Sequence, residues 1–416
     1  MRRSLSVLLS AGLLGACRGH MPVPLTKPFS FPMSEAGRAV RELEQRRAEY
    51  LVGPDGWMYW QAVAQYRALA GDPAGALAAW DRPGQEDKGT APDLSDVGPE
   101  DAVALLLREA ERRQAFFINE AHHVPRHRAF TRSLLAGLRE RGYRYFAAEA
   151  FSATDPDLAS RGAPTRQTGG YVNEPQFAEL VREALRLGFV PVPYEDDTPC
   201  DPPPGDQNFC ANQRDRVQAE NIKARVFDRD PRAKVLVHAG FDHIRKTGRP
   251  NWKTMAGVFR SLTGIDPLTV DQVEMTERSA PAFEKAAYRA ALEAFKPAGS
   301  VVLAYPDGRG WVPAEDAGAY DFVVVHPRSA LAGGRPDWVF ADRSATPLPR
   351  VLCPAAPCTV EAYREADSPE NDPPADAFVV RDASAAHALA LTPGRYRVRV
   401  VAPDGVAKGD VLVEAR

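Results

Sequence analysis

The chain has 416 residues, 44% of them hydrophobic and 26% charged, enough apolar material for a sizeable core and the wrong balance for a disordered chain. That length exceeds the usual single-domain range and predicts two or three domains. A net charge of −3 with no long basic stripe excludes nucleic acid as the expected partner.

Residues 1–17, MRRSLSVLLSAGLLGAC, carry two arginines, an apolar run and small residues before Cys17. This is the layout of a secretory leader too short to span a membrane as a stable helix. Its ending, Leu14-Gly15-Ala16-Cys17, resembles a bacterial lipobox, in which the cysteine is lipidated and becomes the first mature residue. The expectation is a cell-envelope protein anchored to the membrane through a lipid on Cys17 and facing the periplasm. Loss of Arg2 and Arg3 with the leader takes the net charge from −3 to −5. Residues 18–34, with four prolines, read as a tether.

Residues 35–98 read as a helical hairpin and a linker. Trp60, Ala64 and Leu69 recur at helical spacing, Gly71-Asp72-Pro73 turns the chain into a second helix, and the polar stretch from Pro83 to Pro99 is the linker. From 99 to 347 apolar runs alternate with amphipathic helices. Strands are expected at Ala115–Ile118, Tyr143–Ala148, Phe189–Tyr194, Ala233–His238, Val301–Ala304 and Phe322–Val325, with helices ending at Gly142 and Gly188 and a third over RDRVQAENIKARVFD. Such alternation predicts an α/β fold with a mostly parallel sheet flanked by helices. Residues 348–416, with inward alternation of Tyr396, Val398 and Val400, predict a small all-β domain of sandwich type.

Beyond Cys17 the cysteines fall in two local pairs, Cys200 with Cys210 and Cys353 with Cys358, in proline-rich loops without histidine. Disulfides of an oxidising compartment account for them better than zinc does. Neither pair has the C-x-x-C spacing of a redox centre.

The stretch NEAHHVPRH, Asn119 to His127, holds three of the chain's eight histidines. It follows a buried strand and precedes a helix opened by Pro125, so it lies at the carboxyl end of a strand, where open α/β sheets keep their ligand sites. Glu149 ends the second expected strand, Glu195 and Asp196 follow the third, and the fourth runs through His238 to His243. Arg214 and Asn221 stand seven apart on one helix face.

The series INEAHHVPRHRAF, YRYFAAEAF, QRDRVQAENIKARV and VLVHAGFDHIRK resembles the superfamily of erythromycin esterases, ChaN-like haem-binding lipoproteins and TIKI/TraB proteins. The likeness extends over roughly residues 113–345 in layout and about forty residues in motif. It implies roles for Glu120 with His122 or His123, for Glu149, for Arg214 with Asp215, and for Gly240 with His243. Asn119 stands where that family has glycine, a swap that suits a left-handed turn. His127 follows Glu120 at a spacing that resembles the ChaN-like branch.

The chemistry expected is hydrolysis of an ester or amide in a small molecule or peptide. A first-loop histidine or His243 takes a proton from water, Glu120 or Glu149 orients the imidazole, and Arg214 stabilises the oxyanion. No G-x-S-x-G nucleophile elbow is present, which favours direct attack by water. The catalytic candidates are Glu120, His122, His123, Glu149, Arg214 and His243, and His127, Asp215, Asn221 and His238 are expected to contact ligand. A zinc or manganese ion would draw on Glu120, His122, Glu149 and His243. The alternative is a lipoprotein that binds haem or another small ligand without catalysis, with His127 or His243 as axial ligand.

Cys17→Ser is expected to release the protein from the membrane fraction or to trap the uncleaved precursor. Detergent partitioning checks this, and unchanged partitioning of a correctly processed mutant refutes the anchor.

Overall fold

The computed structural model describes residues 25–416 apart from 197, 333, 350, 351, 354, 355, 403, 404 and 406; Cys17 lies outside the described residues. The described part of the expected tether is not free. Phe31 is buried, its ring meets Tyr66 edge-on, and its carbonyl accepts from the Tyr66 hydroxyl at 2.8 Å. Four helices follow: α1 (Ala36–Gln45), α2 (Arg47–Val52), α3 (Gly56–Leu69) and α4 (Pro73–Asp81). Asp72 caps α4 by accepting from the Gly75 N–H, and Pro73 stands at the first helical position, where its missing N–H costs nothing. The linker is packed rather than loose. Leu94 is buried beside Met275 and Tyr288, and the linker's last residues form strand β1 (Gly98–Asp101).

Helix α5 (Ala102–Ala110), β2 (Ala115–Glu120), α6 (Pro125–Glu140), β3 (Tyr145–Ala148), the short α7 (Leu158–Arg161), α8 (Pro175–Arg186), β4 (Val190–Pro193), α9 (Phe209–Ile222) and β5 (Val235–Gly240) come next. The body then closes with α10 (Met255–Thr263), β6 (Leu268–Asp271), α11 (Ala286–Phe295), β7 (Val301–Ala304) and β8 (Phe322–Val325). All six expected strands form. The eight-stranded sheet has the order β1-β7-β8-β6-β2-β5-β3-β4. The strands from β8 through β4 in that order run parallel, and β7 runs antiparallel to its neighbours β8 and β1.

Helices cover both faces. Phe116 and Ile118 of β2 join Leu134, Leu138, Phe146 and Leu180 on one side, while Phe117 joins Val237, Ile222 and Phe259 on the other. All residues of β2 and β5 are therefore buried, which is why these strands read as unbroken apolar runs. Each fully buried phenylalanine contributes roughly 1.5–3 kcal/mol from area removed from water.

The C-terminal region holds a small ribbon of β9 (Leu331–Ala332) and β10 (Arg335–Pro336), then β11 (Ser344–Pro347), β12 (Cys358–Arg364), β13 (Asp376–Val380), β14 (Ala388–Leu391), β15 (Gly394–Val401) and β16 (Ala407–Ala415). Strands β13-β12-β15-β16 form one antiparallel sheet and β11-β14 another, around a shared core that includes Val360, Phe378, Leu389 and Val398. The β module thus begins at Ser344, slightly before the expected 348. Tyr396, Val398 and Val400 point inward as their alternation required. Arg364 forks onto Glu179 of α8 with two bonds of 2.7 Å and latches the module to the body. Both expected disulfides are formed, Cys200–Cys210 and Cys353–Cys358.

Candidate functional site

The parallel register brings the carboxyl ends of β2, β3, β4 and β5 to one edge, and the acids and histidines that follow them meet there. Glu120 is the last residue of β2 and is buried. Arg128, one turn into α6, forks onto it with bonds of 2.6 and 2.7 Å, donates to the His122 carbonyl at 3.0 Å, and reaches Glu174 at 3.1 Å. Burial alone would raise the Glu120 carboxyl, but the Arg128 charge and the bonds from Arg128 and His122 outweigh it and hold Glu120 well below the usual range. Glu174 also caps α8, accepting from Gln176 and Phe177. Its burial wins over Arg128 and pushes its carboxyl up.

His122 rests on this base. Its Nδ1 lies 2.9 Å from Glu120 Oε1 and its ring stacks on Tyr171 at 4.2 Å. Glu120, held ionised, accepts only, so the proton belongs on Nδ1 and Nε2 carries a lone pair. Gly240, at the end of β5, makes room for the ring: a Cβ there would lie 2.4 Å from His122 Cε1, 2.5 Å from Nε2 and 3.2 Å from Glu149 Oε2. The glycine is required by close approach.

A second imidazole is built alike. His243 sits on the turn Phe241–Ile244, with Nδ1 on Asp215 of α9, while Asp215 Oδ2 accepts from Trp252 Nε1 at 2.5 Å. His243 Nε2 faces Arg214 Nη1 at 3.2 Å. An arginine can only donate, so Nε2 again bears the lone pair. Burial would lower this imidazole's pKa, but the Asp215 bond and the Glu149 charge prevail and raise it.

Arg214 lies between two carboxylates, bonding Glu149 at 2.5 Å and Glu195 through Nε at 2.8 Å. The Gly240 N–H also donates to Glu149. Burial opposes ionisation of Glu149, yet Arg214, His243 and His122 bring its pKa down to about 2. Arg214 is 36% exposed, His122 17% and His243 13%, against 2% for Glu120. The edge therefore opens to solvent at one cation and two imidazole bases, above a buried charged floor.

Several expected residues have other tasks. His123 is buried against Trp80 of α4 and bonds none of these groups. His127 accepts from the Ala121 N–H on Nδ1 and lies beside His326; it is buried in protein and out of reach of a haem plane. His238 is buried behind Glu120, with Nε2 3.7 Å from it, and burial lowers its pKa to about 4 against the pull of Glu120. Asn221 donates to the Tyr194 carbonyl and ties α9 to β4. Asn119 is extended within β2 rather than left-handed, and its side chain bonds the Phe241 carbonyl, Asp271 and the Gln272 N–H. The left-handed residue is Phe241, at φ 45°. Asp215, rather than Glu149, orients His243.

Glu120, His122, Glu149 and His243 do not form a metal cage. Among the described residues no three His, Cys, Asp or Glu side chains are placed to hold a metal ion. Their donors are spent on Arg128, Arg214, Asp215 and the Gly240 N–H, and Arg214 stands where a cation would be drawn. His243 Nε2 likewise faces a guanidinium, which does not suit an axial ligand.

Sequence reasoning missed Arg128 and gave Glu195 no role beyond its place after the third strand. Arg128 shares a helix face with Thr131 and Leu135, all buried, and a charge on an apolar stripe is a detectable signal.

No protein-family model matches the chain, and no curated protein matches it. Similar solved structures include the type III effector HopBA1, at 14% identity over 57% of this chain and 98% of that one, with a TM-score of 0.33. A chain described as bacterial protein toxins is 12% identical over 61% of this chain and 57% of its own, at 0.34. RRSP, a MARTX toxin effector domain from Vibrio vulnificus CMCP6, is 15% identical over 51% and 40%, at 0.26. Likenesses this slight carry no weight for the chemistry.

Two outcomes follow from the geometry. Gly240→Ala is expected to cost about 1–3 kcal/mol by overpacking, and urea melts should show most of that cost gone in the His122→Ala background. Glu149 has its folded pKa depressed to about 2 from 4.5, so its contribution is present above about pH 4.5 and is lost as pH falls toward 2. Acid unfolding should cost the wild type on the order of 3 kcal/mol more than Glu149→Gln across that window.

Proposed function

We propose that the chain is a hydrolase of an ester or amide bond in a small molecule or peptide, in keeping with its resemblance to the erythromycin esterase and ChaN-like group. We place it in the cell envelope, tethered through Cys17 and facing the periplasm. The observation that carries the chemistry is the pair of carboxylate-backed imidazoles, His122 on Glu120 and His243 on Asp215, flanking Arg214 at one sheet edge.

His243 Nε2 takes a proton from water as the water oxygen bonds to the substrate carbonyl carbon. Arg214, beside that nitrogen, offsets the charge on the carbonyl oxygen, a contribution on the order of 3 kcal/mol for one well-aimed donor. The imidazolium, stabilised by Asp215, then returns the proton to the leaving oxygen or nitrogen as its bond to carbon breaks. His122 supplies the second base across Gly240, where it can hold the attacking water. The two local disulfides fit an oxidising compartment.

The test is a panel of esters and peptides against the wild type, His122→Ala, His243→Ala and the double variant. Residues acting as one unit lose activity together, so the double variant should be hardly worse than either single one. Independent, multiplying losses, or no hydrolysis of any substrate by the wild type, would count against the reading. Since the pKa of His243 is raised and its neutral form is the base, kcat/KM should rise with pH through a value above 6.5, and Asp215→Asn should move that limb to lower pH.

A further inference from the structure

A separate cavity of about 280 Å³ lies between α4 and the loops of the α/β body, and its wall includes none of Glu149, Arg214 or His243. Leu77, Pro125, Pro336 and Trp338 make much of that wall apolar. His123 and Arg126 line it too, and both are buried.

Neither ring nitrogen of His123 has a hydrogen-bond partner among the described residues, although the ring is fixed by stacking on Trp80 at 4.0 Å. A buried imidazole with both nitrogens unbonded is costly unless something else fills the space. Arg126 gives one donor to the Pro327 carbonyl and has no carboxylate within ion-pair distance among the described residues. Arg278, on the same wall, is held only loosely by Asp81 at 3.7 Å. The acid of the wall, Glu277, is turned to Ser329, whose N–H and hydroxyl occupy its two oxygens.

Arg278 faces Asp81 and Glu277 is engaged by Ser329, which leaves Arg126 as the buried guanidinium without a direct carboxylate among the described residues, and a ligand's carboxylate suits it. The apolar wall excludes a bare inorganic ion as the best fit, and the volume is at the small end for ligand sites. We infer that this cavity binds a small organic carboxylate, with the carboxylate on Arg126 and Arg278, the apolar body against Leu77, Pro336 and Trp338, and His123 bonded to the ligand's polar edge.

Calorimetric titration of the full mature chain with sodium benzoate tests this, with benzamide as the neutral isostere and inorganic phosphate as the bare anion. Benzoate is expected to bind one site and raise Tm, with benzamide and phosphate at least about tenfold weaker; Arg126→Met and His123→Phe should each weaken benzoate by about tenfold or more. Arg278→Gln, whose parent side chain is partly exposed, should also weaken it and carries the test if Arg126→Met fails to fold by circular dichroism. Benzoate affinity should persist in His243→Ala, which separates this site from the sheet edge and from the hydrolase reading. No binding of benzoate, equal binding of benzamide or phosphate, unchanged affinity in the folded Arg variants, or loss of binding in His243→Ala overturns the inference.

Discussion

The buried pair of Glu120 and Arg128 is the constraint on which the rest of the site depends. Both side chains are essentially sealed from solvent, so each pays a desolvation cost of several kcal/mol that only dense, well-aimed bonding can offset. The bonding is dense: one guanidinium ties the end of β2, the His122 carbonyl and the cap of α8. Removing either partner would strand a buried charge, at about 3–5 kcal/mol. For that reason the imidazoles, which stand at the surface of this network, can be varied with less damage than its floor.

The second constraint is steric and lies one strand away. The chain must leave β5 with no side chain at Gly240, then bend through a left-handed Phe241. A non-glycine residue in that conformation costs about 1 kcal/mol or more and persists where its surroundings fix it. Here they do. Asn119 donates to the Phe241 carbonyl, and the Phe241 ring lies against Trp80 and His122. The turn that presents His243 is thus held by β2 below it and by the helical hairpin beside it, which gives the N-terminal helices a part in shaping the sheet edge.

Much of this was legible in the sequence because the sheet is covered on both faces. Runs such as AFFI and VLV stand out for that reason, and Pro125, Gly142 and Gly188 mark the helices between them. Strand β6 was missed: four residues next to Pro267 are too short to show a period, and all four are buried by neighbours remote in sequence. Glu120, Glu149 and His243 were legible as strand-end groups, and Arg214 with Asp215 as a helical pair, although α9 starts at Phe209 and places them inside the helix rather than at its start. The pairing among them was not, since hydrogen bonds such as Asp215 to His243 or Arg214 to Glu195 depend on side-chain directions that spacing does not fix. Asn119 shows the limit of reasoning by residue type: its tolerance of left-handed turns is real, but here its amide is used to join β2, Asp271 and Phe241.

The three histidines of NEAHHVPRH make the same point at the level of single atoms. Their crowding marks a strand end, but what each can do is decided by the group opposite Nδ1. A carboxylate at that nitrogen, as Glu120 provides for His122, keeps the proton there and leaves Nε2 as a base. A backbone N–H, as Ala121 provides for His127, forces the other tautomer, so Nε2 carries hydrogen and the ring has no accessible lone pair to offer. His123 has neither partner, and its place against Trp80 turns it from the sheet edge to the cavity under α4. Three identical side chains within six residues therefore serve as a base, a packed strut and a cavity wall, and the difference lies in whether a carboxylate, a backbone N–H or nothing among the described residues bonds Nδ1.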